Sequence, residues 1–294
     1  MTWPEATIVL DERVLRDLLE TQFPSHANLA LSRATEGFDN VLWRLGERYL
    51  VRLPRRVEAV PLMENEIRWM PELAPRLPLP VPAPVHVGRP APMFPWPWEV
   101  TNWFEGIPGD FVAAVSSPSS ARSLGAFLRA LHQPAPRDAP HNPLRGVPLA
   151  HRSGQMEERL ELVGGLVRTA SVRRVWQAAL DAPRFEGQPV WIHGDLHPAN
   201  LIVRSGSLAA VVDFGDLCAG DPATDLAGAW MFLSHELLGD FLDAYGEHDE
   251  GLIARSLGWA ALFGTMFVSL GMEGRANYLD VGKRTLESVV RFVD

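Results

Sequence analysis

Trp191-Ile192-His193-Gly194-Asp195-Leu196-His197-Pro198-Ala199-Asn200, followed by Val211-Val212-Asp213-Phe214-Gly215, is the stretch that decides the reading of this chain. A carboxylate, Asp195, stands five positions before an amide, Asn200, and a second carboxylate, Asp213, follows a short segment later. Val190-Trp191-Ile192, Leu201-Ile202-Val203 and Leu208 to Val212 are short apolar runs that read as strands. Arg204-Ser205-Gly206-Ser207, between the last two, is a turn signal. A hairpin there brings Asn200 and Asp213 to one end of paired strands. Two oxygen donors at one point suit Mg²⁺, which takes one or two carboxylates together with phosphates and water. Asp195 is then available to orient a hydroxyl and accept its proton, the division of labour that phosphoryl transfer requires. Any one piece also fits an ordinary turn; the ordered set is far more specific.

Protein kinases meet the same need with H-R-D-L-x-x-x-N followed by D-F-G. Here the spacing is kept and Gly194 replaces the arginine. Downstream stands Gly220-Asp221-Pro222-Ala223-Thr224-Asp225-Leu226-Ala227. On these residues the chain resembles the aminoglycoside phosphotransferase family, small-molecule kinases with a protein-kinase-like fold. His193 to Asn200 matches the family's H-G-D-x-x-x-x-N, Asp213 its metal-binding aspartate, and 220–227 its G-D-P-x-x-D-L-A. The resemblance runs over nearly the whole chain and is most specific from 191 to 227. It implies an α+β, bilobal fold: a small mixed N-terminal nucleotide-binding lobe with an antiparallel sheet (1–101) and a larger, mainly helical catalytic lobe (102–294). It also implies Asp195 as base, Asn200 and Asp213 as metal ligands, Mg²⁺ as cofactor, and ATP or GTP as donor.

The pattern of elements agrees with that order. Residues 11–22 and 62–74 read as helices, and 41–45, 49–53 and 99–104 as strands. Helical patterns then dominate over 118–132, 153–181, 223–247 and 250–270. Prolines cluster from Pro78 to Pro97, which excludes helix interior and reads as extended linker and sheet edge.

The nucleotide side is fainter. Ala34 to Asn40 is the candidate phosphate loop, but Gly37 is its only glycine. By alignment Arg52 takes the place of the lysine that grips the phosphates, and arginine can contact them bidentately. Arg55 and Arg56 are rivals, with a surface role the alternative for both. Glu66, rather than Glu64, is the expected partner of that cation. The resemblance places the adenine against the backbone of Asn102 to Phe104, which leaves almost no side-chain signature.

Among supporting residues, His193 reads as structural, ordering the loop. His197 either lines the phosphate site or packs the loop. Asp225 reads as a helix cap that also bonds the catalytic loop. His132 reads as packing, and Trp103 and Trp230 as core residues within possible reach of a substrate.

Only a short segment separates Asp213 from Asp225 and no A-P-E follows, so there is no room for the docking platform of a protein kinase. The acceptor is therefore expected to be a small hydroxylated molecule: an aminoglycoside-type antibiotic first, a macrolide or other hydroxylated metabolite second. Acidic residues over 236–250 are candidates for binding amino groups, with a solvated helix face as the plainer reading. A catalytically silent nucleotide-binding module is the third alternative, against which the intact Asp195, Asn200 and Asp213 argue.

The 294 residues suffice for two cores, and 47% apolar with 21% charged residues is ordinary for a folded chain. A net charge of −9 argues against a nucleic-acid partner. No apolar run approaches a membrane span, Met1 to Glu5 lacks signal-peptide character, and Cys218 is the only cysteine. The expectation is a cytoplasmic monomer or homodimer.

Overall fold

The computed structural model describes residues 6–8, 10–113 and 115–293; Met1 to Glu5, read above for signal character, lie outside them. The chain opens with helix α1 (Glu12–Gln22), which Asp11 caps by accepting a hydrogen bond from the Val14 N–H at 2.9 Å. Strands β1 (Leu31–Glu36), β2 (Asn40–Leu45) and β3 (Tyr49–Pro54) follow, then helix α2 (Val60–Leu73), β4 (His86–Gly88) and β5 (Trp98–Asn102). These five strands form one antiparallel sheet in the order β1-β2-β3-β5-β4. Alternation along β2 turns Val41, Trp43 and Leu45 inward, where they meet Leu15, Leu18 and Leu19 of α1 and Val51, Leu53, Trp98 and Val100. The proline-rich stretch runs extended and supplies the edge strand β4.

The rest is helical with short strands inserted. After β6 (Ile107–Pro108) come helices α3 (Pro118–Leu131), α4 (Ser153–Val163) and α5 (Thr169–Asp181). Strands β7 (Val190–Ile192), β8 (Leu201–Arg204), β9 (Ser207–Val211) and β10 (Cys218–Gly220) carry the motif region. Helices α6 (Ala223–Phe232), α7 (Leu238–Tyr245), α8 (Glu250–Met272) and α9 (Ala276–Val293) complete the chain. Their apolar faces close on one large core, which Trp69, Met70 and Leu73 of α2 also join. By length and hydropathy α8 could cross a membrane, yet 83% of its apolar window is buried here. It packs against α4, α5, α6 and α9, which accounts for its composition.

Two helical spans read as continuous are in fact broken. The 153–181 span divides at Gly164 and Gly165 into α4 and α5. The 223–247 span divides because the chain leaves α6 to pair with Val115, whose N–H donates to the Phe232 carbonyl while Ser234 N–H donates to the Val115 carbonyl. Helix α9, which the pattern reading did not assign, seats Val281, Leu286, Val289 and Val290 on the core.

Candidate active site

Asp195 lies in the loop that leaves β7, and β7 is fixed by antiparallel pairing with β10. Gly194 explains the glycine at this point of the motif. Its φ is +84°, and a Cβ there would stand 2.5 Å from the Asp216 carbonyl oxygen. No arginine fits between these two segments.

Three residues hold the loop. Asp225 is fully buried and accepts from the backbone N–H of His193 at 2.6 Å and of Gly194 at 2.9 Å. It lies inside the first turn of α6 and does not cap it; Asp221 instead accepts from the Ala223 N–H. His132 bonds Asp225 through Nε2 at 3.2 Å and the Tyr245 hydroxyl through Nδ1 at 3.0 Å, so it belongs to the same support rather than to packing alone. His193, also fully buried, has a defined tautomer. Its Nδ1 accepts from the Asp195 N–H at 3.2 Å, so Nε2 carries the proton and donates to the Val212 carbonyl at 3.0 Å. The imidazole thus ties the Asp195 loop to the strand end that carries Asp213.

Strands β8 and β9 pair Leu201 with Val211, and the Val212 N–H donates to the Asn200 carbonyl at 2.9 Å. Asn200 and Asp213 therefore sit side by side at one end of the hairpin. The Asn200 amide nitrogen donates to the Asp195 carbonyl at 2.9 Å, which leaves its Oδ1 as the free donor atom. Asp213 is exposed and holds a φ of +66°, a strained conformation for a residue with a side chain. No group of three or more His, Cys, Asp or Glu among the described residues is placed to hold a metal. Asn200 and Asp213 fit an ion that takes its other oxygens from phosphates and water.

Asp195 itself is held from two sides. Arg145 donates to Oδ1 at 2.6 Å, and His197 Nε2 lies 3.2 Å from Oδ2. Burial pushes the Asp195 carboxyl up, but Arg145 first and His197 next outweigh it, so the group stays well below the usual carboxylate range. His197 also packs edge-on against Phe267, the packing role among the two expected for it. Nearby Asp216 moves the other way, up to about 6, because of burial and the Asp195 charge.

On the sheet, Arg52 is buried and makes a two-pronged ion pair with Glu66 of α2, its Nη2 lying 2.8 Å from Oε1. Glu64 is exposed. Arg52 also donates to Glu99 of β5 at 2.7 Å, and its Nη2 is 3.4 Å from Asp213 Oδ1. Burial pushes both Glu66 and Glu99 up, since one guanidinium faces two buried carboxylates. The rival cations are engaged elsewhere: Arg55 donates to the Gly37 carbonyl, and Arg56 bonds Asp39 and covers Phe38. Both pin the turn between β1 and β2 that contains Gly37.

Asn102 ends β5 and is exposed, and Phe104 is half-buried. Between them the Trp103 N–H donates to the Arg48 carbonyl, and Arg44 stacks on the Trp103 ring at 4.6 Å. Trp230 is buried, its indole N–H bonded to Ser256. Of the acidic residues over 236–250, Asp249 caps α8 and Asp240 pairs with Arg122. No hydrogen bond or ion pair among the described residues joins any of them to Asp195.

A family model described as "Phosphotransferase enzyme family" matches residues 30–262, most of the chain. The chain belongs to this family. Its members are small-molecule kinases acting on hydroxyl groups. No curated protein matches by sequence. Among solved structures, the phosphotransferase is similar to the GDP complex of wild-type aminoglycoside 2'-phosphotransferase-IIIa, at 18% identity and TM-score 0.68, over 97% of this chain and 100% of that one. It is similar to the GDP and kanamycin complex of APH(2")-IIia at 20% identity and TM-score 0.67, over 94% and 97%. It is also similar to the apoenzyme of macrolide 2'-phosphotransferase MphH from Brachybacterium faecium, at 24% identity and TM-score 0.60, over 92% and 97%. At these identities the likeness establishes the fold, which is the α+β, kinase-like architecture expected from the sequence.

Arg145 and Glu99 are site residues that the motif reading passed over, and His132 is one that it read as packing. Arg145 offered one signal: it lies between turn formers, in Asn142-Pro143-Leu144-Arg145-Gly146.

Proposed function

We propose that this phosphotransferase moves the γ-phosphate of ATP or GTP, presented as a Mg²⁺ complex, to a hydroxyl of a small molecule. The observation that carries the reading is the catalytic hairpin: Asp195 and Asn200 are joined through the Asn200 amide, and His193 links the same loop to the strand end bearing Asp213. In this reading Asp195 orients the acceptor hydroxyl and takes its proton as the new P–O bond forms and the bond to the leaving nucleoside diphosphate breaks. Asn200 Oδ1 and Asp213 would hold Mg²⁺, which when bound neutralises charge on the phosphates. Arg52, oriented by Glu66 and Glu99, faces the phosphates beside Asp213. The Gly37 turn covers them, and the Asn102–Phe104 backbone takes the base. Residues 1–101 then serve as the nucleotide-binding lobe and 102–294 as the catalytic lobe.

GDP and ATP complexes among the similar structures support the donor class. Aminoglycoside and macrolide enzymes are both among them, so either acceptor accords with the fold. Nucleotide consumption measured over a panel of aminoglycosides, macrolides and hydroxylated metabolites tests the proposal. Turnover that requires Mg²⁺ and an acceptor is expected. Absence of Mg·ATP and Mg·GTP binding in the folded protein would refute it.

A further inference from the structure

The main chain of Asp195 and its carboxylate are held by different groups. His193 Nδ1 accepts from the Asp195 N–H at 3.2 Å, and the Asn200 amide donates to the Asp195 carbonyl at 2.9 Å. Neither bond restricts the two side-chain torsions that aim the carboxylate. Those are set by Arg145, 2.6 Å from Oδ1, and by His197 Nε2, 3.2 Å from Oδ2. The arginine contact is the short, charge-assisted one, and only 13% of the Arg145 side chain is exposed.

A residue can aim its partner only if it is itself fixed, and Arg145 is. Asn142 Oδ1 accepts from the N–H of Leu144 at 2.9 Å and of Arg145 at 3.2 Å, while its amide nitrogen donates to Asp216 at 2.5 Å. Gly146 has a φ of +64°, and a Cβ there would stand 2.7 Å from Ile192 Cδ1 on β7 and 2.8 Å from the Gly220 Cα on β10. The Ala219 N–H donates to the Pro140 carbonyl at 3.0 Å, and the Asp221 N–H to the Gly146 carbonyl at 3.3 Å. The loop over 140–146 is thus docked on the β7–β10 pair, and β7 is the strand that delivers Asp195. Both ends of the Arg145–Asp195 contact therefore hang from one strand pair. On α8 the buried Phe263 ring centre lies 5.0 Å from the guanidinium and limits its travel.

We propose that Arg145 is a positioning residue for the transfer: by holding Oδ1 it fixes the plane of the Asp195 carboxylate and leaves Oδ2 as the oxygen that receives the acceptor's proton. This rests on the phosphotransferase reading above and deepens it by assigning the base atom. A full positive charge at short range draws electron density from Oδ1. Oδ2 meets only the longer imidazole contact and keeps a second lone pair for the hydroxyl. In the transfer the hydroxyl proton passes to Oδ2, the hydroxyl oxygen bonds the γ-phosphorus, and the bond to the leaving nucleoside diphosphate breaks. Arg145 stays on Oδ1 and touches neither acceptor nor nucleotide.

The test is a kinetic double-mutant cycle on the full chain: wild type, Arg145→Ala, Asp195→Asn and Arg145→Ala/Asp195→Asn. Nucleotide consumption is measured with the donor and acceptor that turn over fastest in the panel above, and with water alone as acceptor. Arg145→Ala is expected to lower kcat on the order of 10²-fold, the effect of misplacing the base by about 1 Å. Its nucleotide KM should stay within about threefold of wild type. In the Asp195→Asn background the same change should lower kcat less than about threefold, because Arg145 acts through the carboxylate. Near-wild-type kcat in folded Arg145→Ala would overturn the proposal. So would an equal loss in both backgrounds, or a nucleotide KM that rises in step with the fall in kcat. If circular dichroism shows Arg145→Ala unfolded, Arg145→Lys, which keeps the charge and loses the fork, takes its place in the cycle with an expected loss of about tenfold. Absence of wild-type turnover with every donor and acceptor would refute the phosphotransferase reading beneath the proposal instead.

Discussion

Replacing Asp225 by Asn tests how the catalytic loop is held. The carboxylate accepts two backbone N–H groups, from His193 and Gly194, and faces His132. An amide of the same size keeps one acceptor oxygen and turns an NH₂ group toward the second donor. One buried N–H is then left unsatisfied at about 1–3 kcal/mol, and the surviving bond loses its charge assistance, so the total cost is roughly 2–4 kcal/mol. For 294 residues, at roughly 2.1 cal/mol/K of unfolding entropy per residue, that corresponds to a fall in Tm of about 3–7 °C. The same change frees the peptide planes directly before Asp195. A displacement of the base by about 1 Å lowers kcat on the order of 10²-fold. The nucleotide KM should move little, because Asp225 touches neither Arg52 nor Asp213. Scanning calorimetry and steady-state kinetics on the purified variant read both quantities. Wild-type Tm together with wild-type kcat would refute the clamp. A lowered Tm with unchanged kcat would show that the carboxylate stabilises the fold without positioning the base.

Asp195→Asn is expected to lower kcat by at least ~10² with Mg·ATP affinity nearly unchanged, as read by steady-state rates beside calorimetric titration; near-wild-type kcat would exclude Asp195 as the base. Asp213→Ala should abolish Mg²⁺-dependent turnover in a protein of native circular dichroism, and full activity would remove Asp213 from the metal site. Arg52→Ala leaves Glu66 and Glu99 buried without a cation, so a loss of about 3–5 kcal/mol in denaturant unfolding is expected, together with a raised nucleotide KM. A stability loss with unchanged nucleotide KM would make Arg52 purely structural. Glu66 is pushed by burial up to about 8 and Glu99 is also raised. A carboxyl raised on folding holds its proton more tightly in the native state, so stability falls as pH climbs from the ordinary carboxylate range through about 8. Glu99→Gln should therefore raise Tm near pH 9 and change it little near pH 5; an equal shift at both would contradict the charge crowding.

Much of the site is local chemistry, and local chemistry is legible. His193 to Asn200 and Asp213 lie within 21 residues, joined by one hairpin, so their spacing alone states which side chains meet. The alternation of Val41, Trp43 and Leu45 likewise reports the sheet's inner face without any partner being known. The pairing of Arg52 with Glu66 was also within reach, because kinases set a helix glutamate against the strand cation and Glu66, rather than Glu64, fits the family's helix pattern. The second counter-ion, Glu99, was not. It comes from β5, 47 positions on, and only the β3–β5 register sets it opposite Arg52. Arg145 reaches Asp195 across 50 positions from an aperiodic loop, held by Asn142 and by Gly146 packed on Gly220. The same loop, rather than the acidic residues of 236–250, sets the charge beside the base. Sequence spacing encodes contacts made along a strand, a helix turn or a hairpin; contacts between distant segments are chosen by packing, and packing exists only once the chain has folded.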